Sequence, residues 1–138
     1  MKSIPTYRGA VHPWHCDHMG HMNVMYYVGK FDEATWNLLA AIGITAKYMR
    51  ETQSGAAGVQ QNITYKRELF PGDVVEIRSH IVSAGDRKMT FVHEMRDAAS
   101  GELCAVSELT AVHMDRVHRR ATSFPPEVRR RIEEMLAG

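Results

Sequence analysis

The residues best equipped for chemistry lie in one short run, Val11-His12-Pro13-Trp14-His15-Cys16-Asp17-His18-Met19-Gly20-His21-Met22-Asn23. It holds His12, His15, His18 and His21 out of 8 histidines, Cys16 out of 2 cysteines, and a single carboxylate, Asp17. Three chemistries are open to such a set. A carboxylate can draw a proton from water or attack an electrophile itself. Cysteine, histidine and aspartate are the ligand types of zinc, but this spacing matches no compact ligand motif, and we expect no metal. Cys16 could act as a thiol nucleophile with His21 and Asn23 as partners. On an extended segment, however, Cys16 and Asp17 point to opposite faces, so Cys16 is expected to pack. That leaves Asp17 as a candidate base or nucleophile, or else as a helix cap or a counter-charge to the nearby histidines. Polar, titratable groups against the start of an apolar helix are costly unless hydrogen-bonded or used.

That helix is the strongest periodic feature of the chain. Val24, Tyr27, Val28, Phe31, Thr35, Leu38, Leu39 and Ile42 recur at helical spacing, with Asn23 as the expected N-cap and Gly43 as the stop. Lys30, Asp32, Glu33 and Asn37 fall largely off the stripe. Met25, Tyr26, Ala34, Trp36, Ala40 and Ala41 leave few polar positions, so the helix is expected to be mostly buried. Before it, Tyr7 to Val11 reads as a short strand ending near Pro13, and Gly20 is available for an unusual backbone angle. After it come a short helical piece over 46–51 and a loop at Ser54-Gly55-Ala56-Ala57-Gly58.

The period then changes from helix to strand. Val59 to Leu69 alternates, Pro71-Gly72-Asp73 turns, and strands follow over 74–83, 88–96 and 103–114, joined by the turns at 84–87 and 97–101. Close hairpin spacing implies an antiparallel meander. A tail helix runs over 125–136, with Pro126 in its first turn and Arg129, Arg130 and Arg131 on a solvated face. Strand, long helix and four strands make an α+β domain spanning 1–138, one helix packed on an antiparallel sheet, with the tail helix as an appendage. A sheet covered on one face only invites pairing between protomers.

The chain has 138 residues, 44% of them hydrophobic and 24% charged, with a formal net charge of +1. That balance argues against a nucleic-acid binder. The N-terminus lacks an apolar h-region and no apolar run is long enough to cross a bilayer. Two distant cysteines make no disulfide framework, so a reducing, cytoplasmic setting is expected.

At this point the residues resemble a known family. Val11, four residues, Cys16-Asp17, two residues, Gly20 and a helical Tyr27 are similar to the motif of hotdog-fold thioesterases of the 4-hydroxybenzoyl-CoA thioesterase type. Ile63-Thr64-Tyr65-Lys66-Arg67-Glu68-Leu69 leading into Gly72-Asp73 resembles that family's second strand and turn. The likeness covers roughly residues 5 to 118. The common form of the motif has an aliphatic residue after the glycine. Here Gly20-His21-Met22-Asn23 stands instead, a Gly-His-x-Asn variant also familiar among hotdog acyl thioesterases.

The resemblance implies a hotdog fold, a long central helix wrapped by an antiparallel sheet of about five strands. It implies hydrolysis of an acyl-CoA thioester to free acid and CoA, without a cofactor, in a homodimer or homotetramer. Asp17 is the implied catalytic position. His21 would orient Asp17, hydrogen-bond the thioester or fill a polar site. Helix-start amides suit an oxyanion; the candidates are Gly20 and His21, or Gly58 and Val59 from a neighbouring backbone. Asn23 and Tyr27 could touch substrate. Lys66, Arg67, Arg87 and Lys88 could meet the phosphates of coenzyme A or be ordinary surface charge. Trp14, Met19, Met22, Met25 and Trp36 could shape the acyl pocket, and Trp14 could face a cationic head. The alternative is a non-catalytic hotdog module that binds an acyl thioester or serves as a dimeric scaffold.

Overall fold

The computed structural model describes residues 2–138. The strands are β1 (Ile4–Ala10), β2 (Ser54–Tyr65), β3 (Val74–Ala84), β4 (Lys88–Asp97), β5 (Leu103–Asp115) and the two-residue β6 (Arg120–Ala121); the helices are α1 (Val24–Ala41), α2 (Ala46–Thr52) and α3 (Pro126–Ala137). The strands form one antiparallel sheet in the order β1-β3-β4-β5-β2, with β6 paired to β5. α1 lies against β1 and β3, and Asn37 Nδ2 donates to the Thr6 carbonyl at 2.7 Å, stitching the helix to the edge strand.

The α1 start and stop follow from local chemistry. Asn23 Oδ1 accepts from the Met25 N–H at 2.9 Å, satisfying one of the first-turn donors that have no intrahelical partner. Gly43 ends the helix with φ +92°, a region that L side chains resist. Thr45 caps α2 the same way, accepting from the Tyr48 N–H at 3.1 Å.

The core has two lobes. One gathers Val11, Met22, Tyr27, Phe31, Leu69, Val75, Ile77 and Met95 around the start of α1. The other gathers Leu38, Ile42, Ile44, Ile81, Phe91, Phe124, Val128, Ile132 and Met135 around its end. α3, expected as an appendage, supplies three buried residues of that second lobe, Val128, Ile132 and Met135. On β4 the inward alternation Met89, Phe91, His93, Met95 is buried throughout.

His93 stands where the lobes meet. Its ring lies 5.9 Å from Phe31, stacked, and 5.2 Å from Phe91, edge-on. Thr35 Oγ1 is 2.8 Å from Nε2 and donates to the Phe31 carbonyl at 3.0 Å. Ser79 Oγ is 2.5 Å from Nδ1 and 2.7 Å from Thr6 Oγ1. With its proton on Phe31, Thr35 accepts from Nε2–H, so Nδ1 accepts from the Ser79 hydroxyl and Ser79 accepts from Thr6. Every ring nitrogen in this buried chain has a partner, as buried polar groups require. Burial pushes the imidazole pKa down to about 4, which keeps the ring neutral.

Several expected boundaries differ. Residues 54–58 are not a loop: β2 starts at Ser54 and pairs Ser54 through Gly58 with Asp115 through Ala111. A glycine-rich stretch is a poor strand former alone, and the β5 ladder overrides that preference. Conversely, 66–69 leave the strand; the Lys66 and Arg67 amides both reach the Cys104 carbonyl. β1 begins at Ile4, three residues early, because an edge position accommodates Pro5. α1 is also less buried than its composition suggests. Met25 is 65% and Trp36 54% exposed, with Val24 and Val28 also open to solvent. The sheet covers one flank of the helix, and the opposite apolar flank is uncovered in a single chain.

Candidate active site

The loop between β1 and α1 is a miniature hairpin set on the core. Val11 roots it by exchanging backbone bonds with the 72–73 turn: its N–H donates to the Asp73 carbonyl and its carbonyl accepts from Gly72, each at 2.8 Å. Cys16 and Met22 form an antiparallel bridge. Between them the Gly20 N–H closes a turn on the Asp17 carbonyl at 3.0 Å, with Gly20 at φ +81°. Met22, 1% exposed, plugs the hairpin into the core, and its N–H donates to the Leu69 carbonyl at 2.7 Å. The local fold thus delivers Asp17 to the mouth of α1.

The Asp17 carboxylate is held from two sides. Oδ2 accepts from Asn23 Nδ2 at 2.8 Å and Oδ1 from the Met19 N–H at 2.9 Å. Both bonds favour the ionised form, and together they hold the carboxyl below its ordinary range, the Asn23 amide contributing most. Asn23 therefore does two jobs: its oxygen caps α1 and its nitrogen orients Asp17. This second job was not foreseen; a side-chain amide at an N-cap has a spare NH₂, which is the sequence signal for it.

Of the roles open to His21, direct orientation of Asp17 by its ring is not seen. Its ring makes no hydrogen bond to Asp17. Nδ1 sits 3.2 Å from the Met22 carbonyl and Nε2 3.7 Å from Glu68 Oε1; only its backbone carbonyl reaches Asp17, accepting from the Asp17 N–H at 3.2 Å. His21 joins Val24, Tyr27, Tyr65, Lys66 and Arg67 on a cleft of about 340 Å³ beside the helix start. Within it, the Tyr27 hydroxyl donates to the Arg67 carbonyl at 3.0 Å, and burial pushes the phenol up to about 12, so Tyr27 fastens the 65–69 segment. Arg67 Nη1 lies 3.3 Å from both Asp97 Oδ2 and Glu102 Oε2. That guanidinium is engaged, whereas Lys66 is exposed with no ion pair among the described residues.

The oxyanion candidates separate clearly. The Gly20 amide is taken by Asp17. The N–H groups of His21 and Val24 have no protein partner among the described residues, and they stand on the loop and at the helix start. Gly58 and Val59 are exposed on the β2 edge, at a bulge in the pairing with β5; within one chain Gly58 borders Thr35 and Trp36, not Asp17. Arg87 and Lys88 lie on the far β3–β4 turn, Arg87 against Asp86.

The remaining loop residues do not converge. Trp14 is exposed and stacks on His12 at 4.4 Å, and His15 stacks on Tyr26 at 4.5 Å. Cys16 packs against the core lobe at the start of α1, its nearest polar neighbour the His12 carbonyl at 3.9 Å. Among the described residues, no three His, Cys, Asp or Glu side chains gather as a metal site would need.

A curled antiparallel sheet packed on one long helix is the hotdog fold. Residues 11–132 match the thioesterase-like superfamily, and the chain belongs to that family. A betainyl-CoA thioesterase of Pseudomonas aeruginosa is 25% identical over 96% of this chain and 83% of its own length. An L-carnitine dehydrogenase/betainyl-CoA thioesterase of Rhizobium meliloti is 25% identical over 88% of this chain, which spans only 24% of that longer protein. Among solved structures, a Staphylococcus aureus protein in complex with CoA superposes with a TM-score of 0.91 at 19% identity, covering 99% of this chain and 87% of its own. Among the described residues, no helix is long and apolar enough to cross a membrane.

Proposed function

We propose that this protein hydrolyses acyl-CoA thioesters, with Asp17 as the base that activates water or as the attacking carboxylate. One observation carries the reading: Asp17 is clamped and held ionised by Asn23 and the Met19 amide at the positive end of an 18-residue helix. An ionised carboxylate is the form that accepts a proton or attacks a carbonyl carbon. As the tetrahedral intermediate forms, charge collects on the former carbonyl oxygen, and the amides of His21 and Val24, partner-free among the described residues, are backbone donors at the helix start available to receive it. Collapse of the intermediate expels the CoA thiolate, leaving the free acid where water attacked, or an Asp17 acyl anhydride that water then cleaves to the acid where the carboxylate attacked. The cleft at His21, Val24 and Lys66 offers room for the thioester arm, with Lys66 as the free cation on its rim.

A homo-oligomer goes with this reading. The uncovered flank of α1 and the free β2 edge are apolar and backbone-rich surfaces that a second copy would cover, and a second copy is the means by which Gly58 and Val59 could approach a thioester at Asp17.

The test is Asp17→Asn. The amide keeps the size of the side chain and an oxygen for the Met19 amide, so the variant should fold and bind acyl-CoA. Its release of CoA, followed by thiol detection over a panel of acyl-CoAs, should fall by about 10²–10⁴-fold. Normal turnover in the variant would refute the mechanism, and binding without CoA release by the unmodified protein would make it an acyl-thioester binding module.

A further inference from the structure

We propose that the cleft between β1, the turn at Pro13–His15 and α1 is an anion subsite that takes a carboxylate carried on the acyl group of the substrate. The proposal rests on the acyl-CoA reading above. The cleft measures about 360 Å³ and is lined by Tyr7, Gly9, His15, Tyr26, Gly29 and Lys30.

Lys30 is its centre. The side chain is only 6% exposed. Its Nζ donates to the Tyr7 hydroxyl at 3.0 Å and, more weakly, to the Ala10 carbonyl at 3.4 Å, and lies 5.2 Å from the centroid of the Tyr7 ring. Both oxygens are neutral, and among the described residues no carboxylate pairs with Lys30. Glu33 and His12 also border the cleft, but Glu33 is exposed and forms no ion pair among the described residues. A buried ammonium ordinarily has a counter-charge, because removing it from water is expensive. Here the third N–H and the positive charge are left for something that enters the cleft.

The walls agree. His15 Nδ1 accepts from the His12 N–H at 3.0 Å, so the proton of the neutral ring sits on Nε2, a donor without a partner among the described residues. Burial and the nearby Lys30 charge both lower the His15 pKa, which favours the neutral ring, and the His12 bond fixes its tautomer. Two glycines hold the space open. A Cβ at Gly9 would collide with the Tyr7 hydroxyl, displacing the group that positions Lys30, and a Cβ at Gly29 would meet nothing within 4 Å. Glycine in a helix interior weakens the helix, and here it leaves bare backbone facing the cleft.

Placement ties the subsite to the reaction. The His15 carbonyl accepts from the Asn23 N–H at 2.9 Å, and Asn23 clamps Asp17. Lys30 lies two turns along α1 from Asn23, about 10 Å, with its side chain leaning back toward the helix start. A short acyl chain whose carbonyl meets Asp17 can place a terminal carboxylate on Lys30. The same ammonium disfavours a quaternary ammonium, the head that a betainyl group carries.

The test compares glutaryl-CoA, butyryl-CoA and betainyl-CoA on the unmodified protein, Lys30→Met and Lys30→Arg, with thiol detection, and titrates free glutarate calorimetrically. Expected is a kcat/KM for glutaryl-CoA about 10- to 100-fold above the other two, the worth of one charge-assisted hydrogen bond. Lys30→Met should erase that preference while butyryl-CoA changes less than about threefold, and Lys30→Arg should keep most of it. Equal use of glutaryl- and butyryl-CoA by the unmodified protein overturns the proposal. So does an equal loss on both in Lys30→Met, which would place Lys30 on the CoA moiety or in the scaffold. Should Lys30→Met not fold, Gly29→Leu fills the cleft with Lys30 in place and must lose the same preference. Should no acyl-CoA be hydrolysed, the catalytic reading fails alone: glutarate binding that Lys30→Met abolishes still supports the anion subsite, and absent glutarate binding overturns it.

Discussion

His93 and Lys30 are both basic nitrogens buried beside α1, one from the sheet and one from the helix, and their surroundings differ in kind. Around His93 every ring nitrogen has a hydroxyl partner, the Thr35 hydroxyl donates on to the Phe31 carbonyl, the Ser79 hydroxyl is matched by Thr6, and Phe31 and Phe91 close the space. Around Lys30 the partners are fewer than the N–H groups, no carboxylate balances the charge, and a cleft opens alongside. A saturated buried polar group behaves as a fastening between elements, here β1, β3, β4 and α1. An unsaturated one beside open space behaves as a site. The difference predicts that changes at His93 act on stability and changes at Lys30 act on substrate choice.

The largest expected effect is at His93. His93→Ala removes a ring packed between two phenylalanines and leaves Ser79 with an unmatched hydrogen bond, so unfolding in urea should show a loss of about 3–5 kcal/mol. Turnover per folded molecule should change little. Abolished turnover in a sample still folded by circular dichroism would break the comparison.

A somewhat smaller effect comes from pH. The His93 pKa is about 4 in the folded protein against about 6.5 unfolded, so between those values the unfolded state binds more protons and folding weakens as pH falls. The stability is fully present above about pH 6.5 and is lost progressively down to about pH 4, a total of about 3 kcal/mol. The charge of neighbouring His80 adds to the depression that burial causes. Asp17, Asp97 and Asp115, held low by their hydrogen bonds, work in the next window down, where acid protonates carboxylates. Urea titrations at intervals from pH 7 to 4 should therefore slope in the unmodified protein and flatten in His93→Leu. Equal slopes would mean that His93 does not titrate across folding.

Which of these features the chain announces follows from how local their causes are. The Asn23 cap, the Gly20 and Gly43 turns and the Met89, Phe91, His93, Met95 alternation were legible because each depends on residues a few positions apart. Residues 54–58 were not, since strand pairing with 111–115 comes from the other half of the sequence. The direction of the His21 ring depends on Glu68, and the engagement of Arg67 on Asp97 and Glu102, all distant along the chain. Asp17 was legible as the carboxylate, and its clamp was half legible in Asn23. Lys30 was placed largely off the apolar stripe, yet it follows Tyr27 by three and precedes Ala34 by four, which places it on the buried side. Periodicity outranked charge there, and a lysine on an apolar stripe was the signal available.

The smallest expected effect is the most discriminating for the open side of the comparison. Gly29→Ala adds one methyl to a helix interior where nothing lies within 4 Å of the new carbon. Propensity alone predicts a gain of up to about 1 kcal/mol, or a melting temperature about 3–5 °C higher. If the glycine only weakens α1, that gain arrives with every acyl-CoA hydrolysed as before. If it keeps the Lys30 cleft clear, the gain comes with a selective, few-fold fall in kcat/KM for glutaryl-CoA and none for butyryl-CoA, the usual exchange of stability against function at a binding surface. A thermal melt and two rate measurements on a single variant separate these outcomes. Stabilisation with unchanged preference would leave Lys30 buried beside a space that no substrate uses, and the contrast with His93 would reduce to a difference in packing.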